Sequence, residues 1–338
     1  MLEFISALPK TELHVHLVGS ASVDTVLNLA RQHPERGVPT EEAELRRFYE
    51  FTDFDHFIDV YIKVNRLVTT GTDVTSLVVG LAADLARNNV RYAEVTVTAT
   101  SHLAMGITAE ELAEALELGR DRALTEHSVL LGWVFDSPGL GDHSDGLDTA
   151  DFAVRHRPAG TVGIGIGGPE LGIDRERFKG AFDLARDAGL HSLPHAGETT
   201  GPATVWAALR ALRAERIGHG TSAVQDPRLL DHLAEHGIAV EVCPTSNLRT
   251  NVVRAIEEHP LPRLLEAGVT VTVATDDPGM FHTDLNREYL LCHEAFGLGR
   301  TELADLARAG VRAAFCPPHV RVELLAEIDA VEGSSARR

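Results

Sequence analysis

Eight short runs dominated by Val, Ile, Leu, Ala and Thr punctuate the chain, separated by longer Ala/Leu/Arg/Glu stretches with the period of amphipathic helices. The runs are Glu12–Leu17, Val90–Thr98, Ser128–Phe135, Thr161–Ile166, Leu190–His195, Arg216–His219, Ile238–Cys243 and Val269–Thr275. Segments such as Val269-Thr270-Val271-Thr272-Val273-Ala274 are near-continuously apolar instead of alternating, as strands covered on both faces require. Strands alternating with helical spacers predict an α/β fold, a parallel (β/α)8 barrel of the TIM type. An open doubly wound sheet would need a phosphate loop after its first strand. Leu17-Val18-Gly19-Ser20 is too short for one and lacks G-x-G-x-x-G.

One spacer is much longer than the rest. About seventy residues separate the first two strands, and within them Asp55 to Val68 carries Phe57, Tyr61, Val64 and Val68 on one helical face. A helical lid inserted over the barrel mouth, spanning approximately residues 20–88, is the expectation; the alternative is that these aromatics serve the core alone. Residues 1–330 then form one domain, and the tail 331–338, Val-Glu-Gly-Ser-Ser-Ala-Arg-Arg, is expected to be disordered.

Composition narrows the partners. The net charge is −19, which disfavours nucleic acid and anionic membranes without barring a small anionic ligand from one pocket. No run of roughly 18 apolar residues is present to span a membrane, and Met1-Leu2-Glu3-Phe4 lacks the basic start of a secretory leader. Cys243, Cys292 and Cys316 are too scattered for a disulfide framework. A cytoplasmic enzyme is expected, with its oligomeric state left open.

Chemistry clusters at the ends of the runs, where barrel enzymes place it. His14 and His16 lie one residue apart in a strand and therefore point to the same, interior face. His195 ends the fifth run and Asp276 follows the eighth, so three imidazoles and a carboxylate can complete a hydrolytic metal site. A carboxylated lysine bridging two metals is excluded near the fourth strand, because no lysine occurs between Lys63 and Lys179. One metal is expected. The other histidines, His259 among them, fall in helical or loop segments and carry no assigned role; His191, deeper in the fifth strand, is read as a packed residue.

Glu198 lies just past the fifth strand, where a desolvated carboxyl can keep its proton and act as a general acid; the plainer reading is a helix N-terminal glutamate. His219 stands between Gly218 and Gly220, which would let a substrate approach, and can take a proton from water or orient it. Asp277, beside Asp276, is placed to receive a hydrogen bond from substrate.

Together, Pro9-Lys10-Thr11-Glu12-Leu13-His14-Val15-His16-Leu17, His195-Ala196-Gly197-Glu198, Arg216-Ile217-Gly218-His219-Gly220, Cys243-Pro244-Thr245-Ser246-Asn247 and Thr275-Asp276-Asp277-Pro278 resemble, in order, the motifs of the adenosine deaminase family of the amidohydrolase superfamily. The resemblance covers roughly residues 5 to 325. It implies one zinc ion per subunit on His14, His16, His195 and Asp276, and a purine nucleoside as the small-molecule partner. It also implies that Glu198 protonates purine N1, His219 handles and positions the water, Asp277 contacts N7 and the Gly168 N–H holds N3. Water then adds to C6 and ammonia leaves.

Two positions depart from the family pattern. Val18 replaces the acidic residue that follows His-Val-His-Leu and, in adenosine deaminases, binds the ribose 5′-hydroxyl; an apolar wall there argues against simple adenosine. The second strand carries Val95-Thr96-Val97-Thr98 where the family often has arginine. A nucleoside with a bulky or anionic 5′ group fits better, and 6-amino-6-deoxyfutalosine, of the menaquinone pathway, meets that description. His191–Pro202 and Gly165–Glu170 are similar to the aminodeoxyfutalosine deaminase branch. Adenosine, methylthioadenosine and S-adenosylhomocysteine, substrates of purine salvage, remain as alternatives, with free adenine behind them. A barrel lactonase or phosphoesterase is the alternative from another class. For an anionic substituent, Lys63 and Arg66 are the candidate cations.

Overall fold

Because the apolar runs are buried on both faces, they pair with one another in sequence order and leave the helices outside. The computed structural model describes residues 1–139 and 143–335. Its strands are β1 Lys10–His16, β2 Val90–Val97, β3 Leu130–Pro138, β4 Thr161–Gly167, β5 His191–Ser192, β6 His195–Ala196, β7 Arg216–His219, β8 Ala239–Val242 and β9 Val271–Val273. All pairings are parallel, giving one sheet from β1 to β5 and another from β6 to β9.

The two sheets are one cylinder. Pro194, which has no N–H, interrupts the fifth barrel strand and divides it into β5 and β6. Across the break, Leu193 N–H still donates to Ile164 O (2.9 Å) and Gly218 N–H to Pro194 O (3.0 Å). At the other seam Asp276 N–H donates to His14 O and His16 N–H to Asp276 O, both at 2.9 Å. The (β/α)8 barrel of the TIM type expected from the runs is thus the fold.

Between β1 and β2 lie the helices Val23–Gln32, Glu42–Phe48, Phe54–Asn65 and Gly71–Arg87. The last is capped reciprocally, the Thr70 side chain accepting from Asp73 N–H and the Asp73 carboxylate from Thr70 N–H. Phe57 packs on Phe281 with ring centroids 5.0 Å apart, and Phe51 meets both rings, which pins the helix Phe54–Asn65 to the barrel end.

Two expectations need correction. β3 runs to Pro138, three residues past Phe135, so that Asp136 lies within the strand near its end. The C-terminal helix Pro318–Ser335 continues through Val331, held by ion pairs from Arg308 to Asp329 and Glu332, so residues 331–335 are not a disordered tail. Residues 336–338 lie outside the described residues.

Charge is also buried inside the strands. Arg216 donates through Nε to Glu241 Oε1 (2.6 Å), through Nη2 to Glu94 Oε2 and through Nη1 to Ala313 O (2.9 Å). Glu94 additionally accepts from Tyr92 Oη (3.1 Å) and Phe315 N (2.7 Å). One guanidinium therefore neutralises two carboxylates drawn from β2 and β8. Replacing Arg216 with Met would leave both acids unpaired in the interior, and a loss of about 3–5 kcal/mol is expected in denaturant unfolding.

Candidate metal centre and active site

The strand ends converge on a cavity of about 430 Å3 whose wall includes His16, Asp136, Gly168, His195, Glu198, His219, Asp276 and Asp277. His14 lies just beneath it, 2% exposed. His16 Nε2 is 3.2 Å from His195 Nε2 and 3.3 Å from Asp276 Oδ1, while His14 Nε2 is 3.6 Å from that same oxygen. Ligands held at ~2.0–2.1 Å from one tetrahedral ion stand about 3.3 Å apart, so the spacing suits a shared cation.

The tautomers fit as well. His14 Nδ1–H donates to Glu241 Oε2 at 3.0 Å, which leaves Nε2 with its lone pair, buried and without a hydrogen-bond partner. Although burial opposes it, the neighbouring carboxylates of Asp276 and Glu241 favour positive charge at His14 and raise its pKa. The site therefore draws positive charge to that nitrogen, the place a divalent metal would take.

Asp276 reaches this geometry through an unusual backbone. It and His219 adopt positive φ, +65° and +59°, which costs energy for a side chain with a Cβ and is retained here by surrounding bonds. Ser246 Oγ donates to Asp276 Oδ2 at 2.6 Å. Burial works against the Asp276 carboxylate, yet His14, His219 and His16 hold its pKa well below the usual range.

Glu198 behaves in the opposite way. Burial, with Asp276 and Glu170 nearby, pushes its pKa well above the carboxylate range, which favours the protonated form. Its Oε2 stands 3.6 Å from His219 Nε2. Glu198 does not begin a helix; it lies in a turn preceding the helix Pro202–Ala207. Glu170 builds that turn, accepting from the N–H groups of Gly197 (2.7 Å), Thr199 (2.9 Å) and Thr200 (3.0 Å).

Asp277 lines the cavity, its pKa raised by burial and by Asp276. A Cβ at Gly19 would fall 1.5 Å from Asp277 Oδ1, so only glycine fits there. Gly168 lines the cavity too, and its N–H has no acceptor among the described residues.

The structure corrects two sequence readings. Val18 is 3% exposed within the apolar core and is not on the cavity wall. The glycines around His219 make room for protein, not substrate: a Cβ on Gly218 would meet His14 Cε1 at 2.8 Å, and one on Gly220 would meet Val240 at 2.8 Å. Four further residues had been given no role. Glu241 orients His14, Ser246 holds Asp276, Glu170 shapes the turn, and Asp136 lines the cavity while accepting from Thr98 Oγ1 at 2.6 Å. Nothing marked Asp136 beyond its place directly after an apolar run; a carboxylate in an apolar strand was the signal for Glu241.

A parallel barrel that gathers three histidines and an aspartate beside a buried glutamate defines a metal-dependent hydrolase of the amidohydrolase type. The chain belongs to the adenosine deaminase family, whose model matches residues 9–331. An aminodeoxyfutalosine deaminase of Streptomyces coelicolor is 51% identical over 96% of this chain and 85% of the relative. An adenine deaminase of Cupriavidus necator is 35% identical over 97% of this chain and 93% of the relative. A zinc-bound amidohydrolase of Burkholderia ambifaria superposes with a TM-score of 0.91 at 26% identity, covering 100% of this chain and 95% of the other.

Because Glu241 fixes the His14 tautomer, Glu241→Gln is expected to weaken metal affinity about 10- to 100-fold, measured by competition with a chelator.

Proposed function

We propose that this protein is a zinc-dependent aminohydrolase that converts 6-amino-6-deoxyfutalosine to futalosine in the cytoplasm. One zinc ion per subunit would be held by His14, His16, His195 and Asp276. The half-identical Streptomyces relative carries the choice of substrate, and the cavity suits it. One stripe of the helix Phe54–Asn65 presents Phe57, Ile58, Tyr61 and Ile62 to the cavity, and Arg66 follows at its C-terminal end. The Tyr61 ring lies 6.2 Å from that of His16. At ~1.5 Å rise per residue, Arg66 sits about 7 Å further along the helix axis. An adenine ring at the metal centre would thus leave its 5′ substituent against apolar side chains, within reach of a guanidinium. Lys63, the other candidate cation, turns to the Phe48 ring and does not line the cavity.

In this reading zinc supplies an activated water at neutral pH by lowering its pKa toward ~7. Glu198 gives its proton to purine N1, which makes C6 a better electrophile. His219 orients the attacking oxygen, Asp277 faces N7, and the Gly168 N–H meets N3. The buried thiols of Cys243, Cys292 and Cys316 are unpaired, in keeping with a reducing compartment.

Loss of adenine absorbance measures the reaction directly. The expected order of kcat/KM is aminodeoxyfutalosine at least about tenfold above adenosine, methylthioadenosine and adenine, and a preference for any of those three would replace the substrate. Glu198→Gln is expected to keep its zinc and lose about 10²- to 10⁴-fold in kcat. Arg66→Met should lower the ratio of kcat/KM for aminodeoxyfutalosine over its des-carboxy phenyl analogue about tenfold. An unchanged ratio would remove Arg66 from recognition.

A further inference from the structure

Two side chains behind the cavity decide which nitrogen of His219 carries its proton. The sequence of bonds begins at a main-chain donor, whose polarity is fixed: Leu261 N–H donates to His259 Nδ1 at 3.2 Å. His259 is 3% exposed, and burial lowers its pKa to about 4, so the ring is neutral. With Nδ1 accepting, the ring's one proton resides on Nε2. That nitrogen lies 3.2 Å from Asn247 Oδ1 and donates to it. The amide is thereby oriented with its NH2 toward His219, where Nδ2 stands 3.2 Å from His219 Nδ1. An amide NH2 only donates, so His219 Nδ1 holds a lone pair and its proton is on Nε2. Turning the Asn247 amide over would set its NH2 against His259 Nε2–H, two buried donors facing each other. A proton on His219 Nδ1 would make the same conflict at the other end.

The scaffold behind this relay is buried and held by main-chain hydrogen bonds. Asn247 is fully buried in the short helix Pro244–Arg249 after β8; its main-chain N–H donates to Cys243 O (2.9 Å) and its main-chain O accepts from Val253 N–H (3.0 Å). The cavity side agrees with the assignment, since His219 Nε2 faces the Asp276 carboxylate, with Oδ2 at 3.9 Å. His14 makes the contrast. Its Nδ1 meets a carboxylate, which takes the proton there and frees Nε2 for a metal. What stands behind Nδ1, a carboxylate or an amide NH2, gives the two rings opposite polarity toward the same cavity.

We propose that Asn247 and His259 are positioning residues that lock His219 in its Nε2–H tautomer. His219 then acts as a hydrogen-bond donor to the oxygen that adds to C6, not as the acceptor of that oxygen's proton. No proton leaves or joins His219 in this role. The role rests on the deaminase reading, whereas the tautomer does not.

Nitrogen-15 NMR of the zinc-loaded enzyme, with His219 assigned through a His219→Gln spectrum, reads the tautomer without any substrate. A protonated Nε2 and an unprotonated Nδ1 are expected near neutral pH; the reverse pattern overturns the proposal whatever the enzyme acts on. Asn247→Asp keeps an acceptor for His259 but replaces the donor to His219 with a second acceptor. That variant is expected to move the His219 proton to Nδ1, keep its zinc and lose about 100-fold in kcat with little change in KM. Wild-type kcat with the proton moved would show that donation by His219 does not matter, and would overturn the catalytic half. His259 tests the relay from a distance: His259→Gln can still donate to Asn247, whereas His259→Glu cannot while ionised. The Glu variant is expected to fall at least about tenfold below the Gln variant in kcat, and equal rates would remove His259 from the relay.

Discussion

The seam that closes the barrel and the carboxylate expected to complete the metal site are one object. Asp276 is joined to β1 by a pair of main-chain hydrogen bonds, giving its N–H to His14 and taking the N–H of His16. Those partners are themselves two of the expected ligands. Three of the four donors are therefore set relative to one another by backbone, before any side-chain rotamer is chosen. The positive φ of Asp276 follows from this, because the chain must leave the seam and turn its carboxylate inward in a single residue. A barrel that failed to close would have no metal site, and a metal on these ligands would in turn hold the seam shut.

Charge is the second constraint. Glu198, Asp136, Asp276 and Asp277 all line one cavity, each 8% exposed or less. Burying so many carboxylates is tolerable only if some keep their protons and others meet cations. The structure uses both solutions. Glu198 and Asp277 are raised by burial and by neighbouring acids, while Asp276 is held down by histidines. Below the cavity, Arg216 balances Glu94 and Glu241, and Glu241 passes its remaining lone pairs to His14. The polar interior of the strands is thus a continuous support running from the barrel's centre to the metal site.

This explains which parts of the molecule were legible from the sequence. Strand positions were, because double burial leaves long apolar runs; the eight runs fall on the observed strands with ends displaced by a few residues. The His14–His16 pair was legible because strand periodicity alone places both rings on one face. Asp136 was hidden by a strand that continues three residues past its apolar run through Asp136, Ser137 and Pro138. Glu94, Arg216 and Glu241 each look out of place in an apolar strand, and only pairing across strands 25 and 122 positions apart makes them a set. Gly218 and Gly220 were assigned to substrate because glycine announces a close approach but not what approaches. His259 was passed over for a similar reason: its partner, Asn247, is twelve residues away in a different element.

The distribution of charge in the cavity also bears on how a substrate would lie in it. All the carboxylates lining the cavity are on the barrel side, and the Arg66 guanidinium, on the helix side, has no hydrogen bond or ion pair among the described residues. A ligand with a neutral purine at one end and an anion at the other gains in one orientation, with the anion toward Arg66. Reversed, it would set its charge against Glu198, Asp276 and Asp277 in a site where water screens little. Specificity of this kind comes as much from what the floor repels as from what the wall attracts. The protein's overall charge of −19 slows the approach of any anion, so a productive encounter must rely on the local field at that wall. A cation placed on the barrel side would compete with the metal for the same carboxylates. The helices between β1 and β2 can carry one without disturbing those carboxylates.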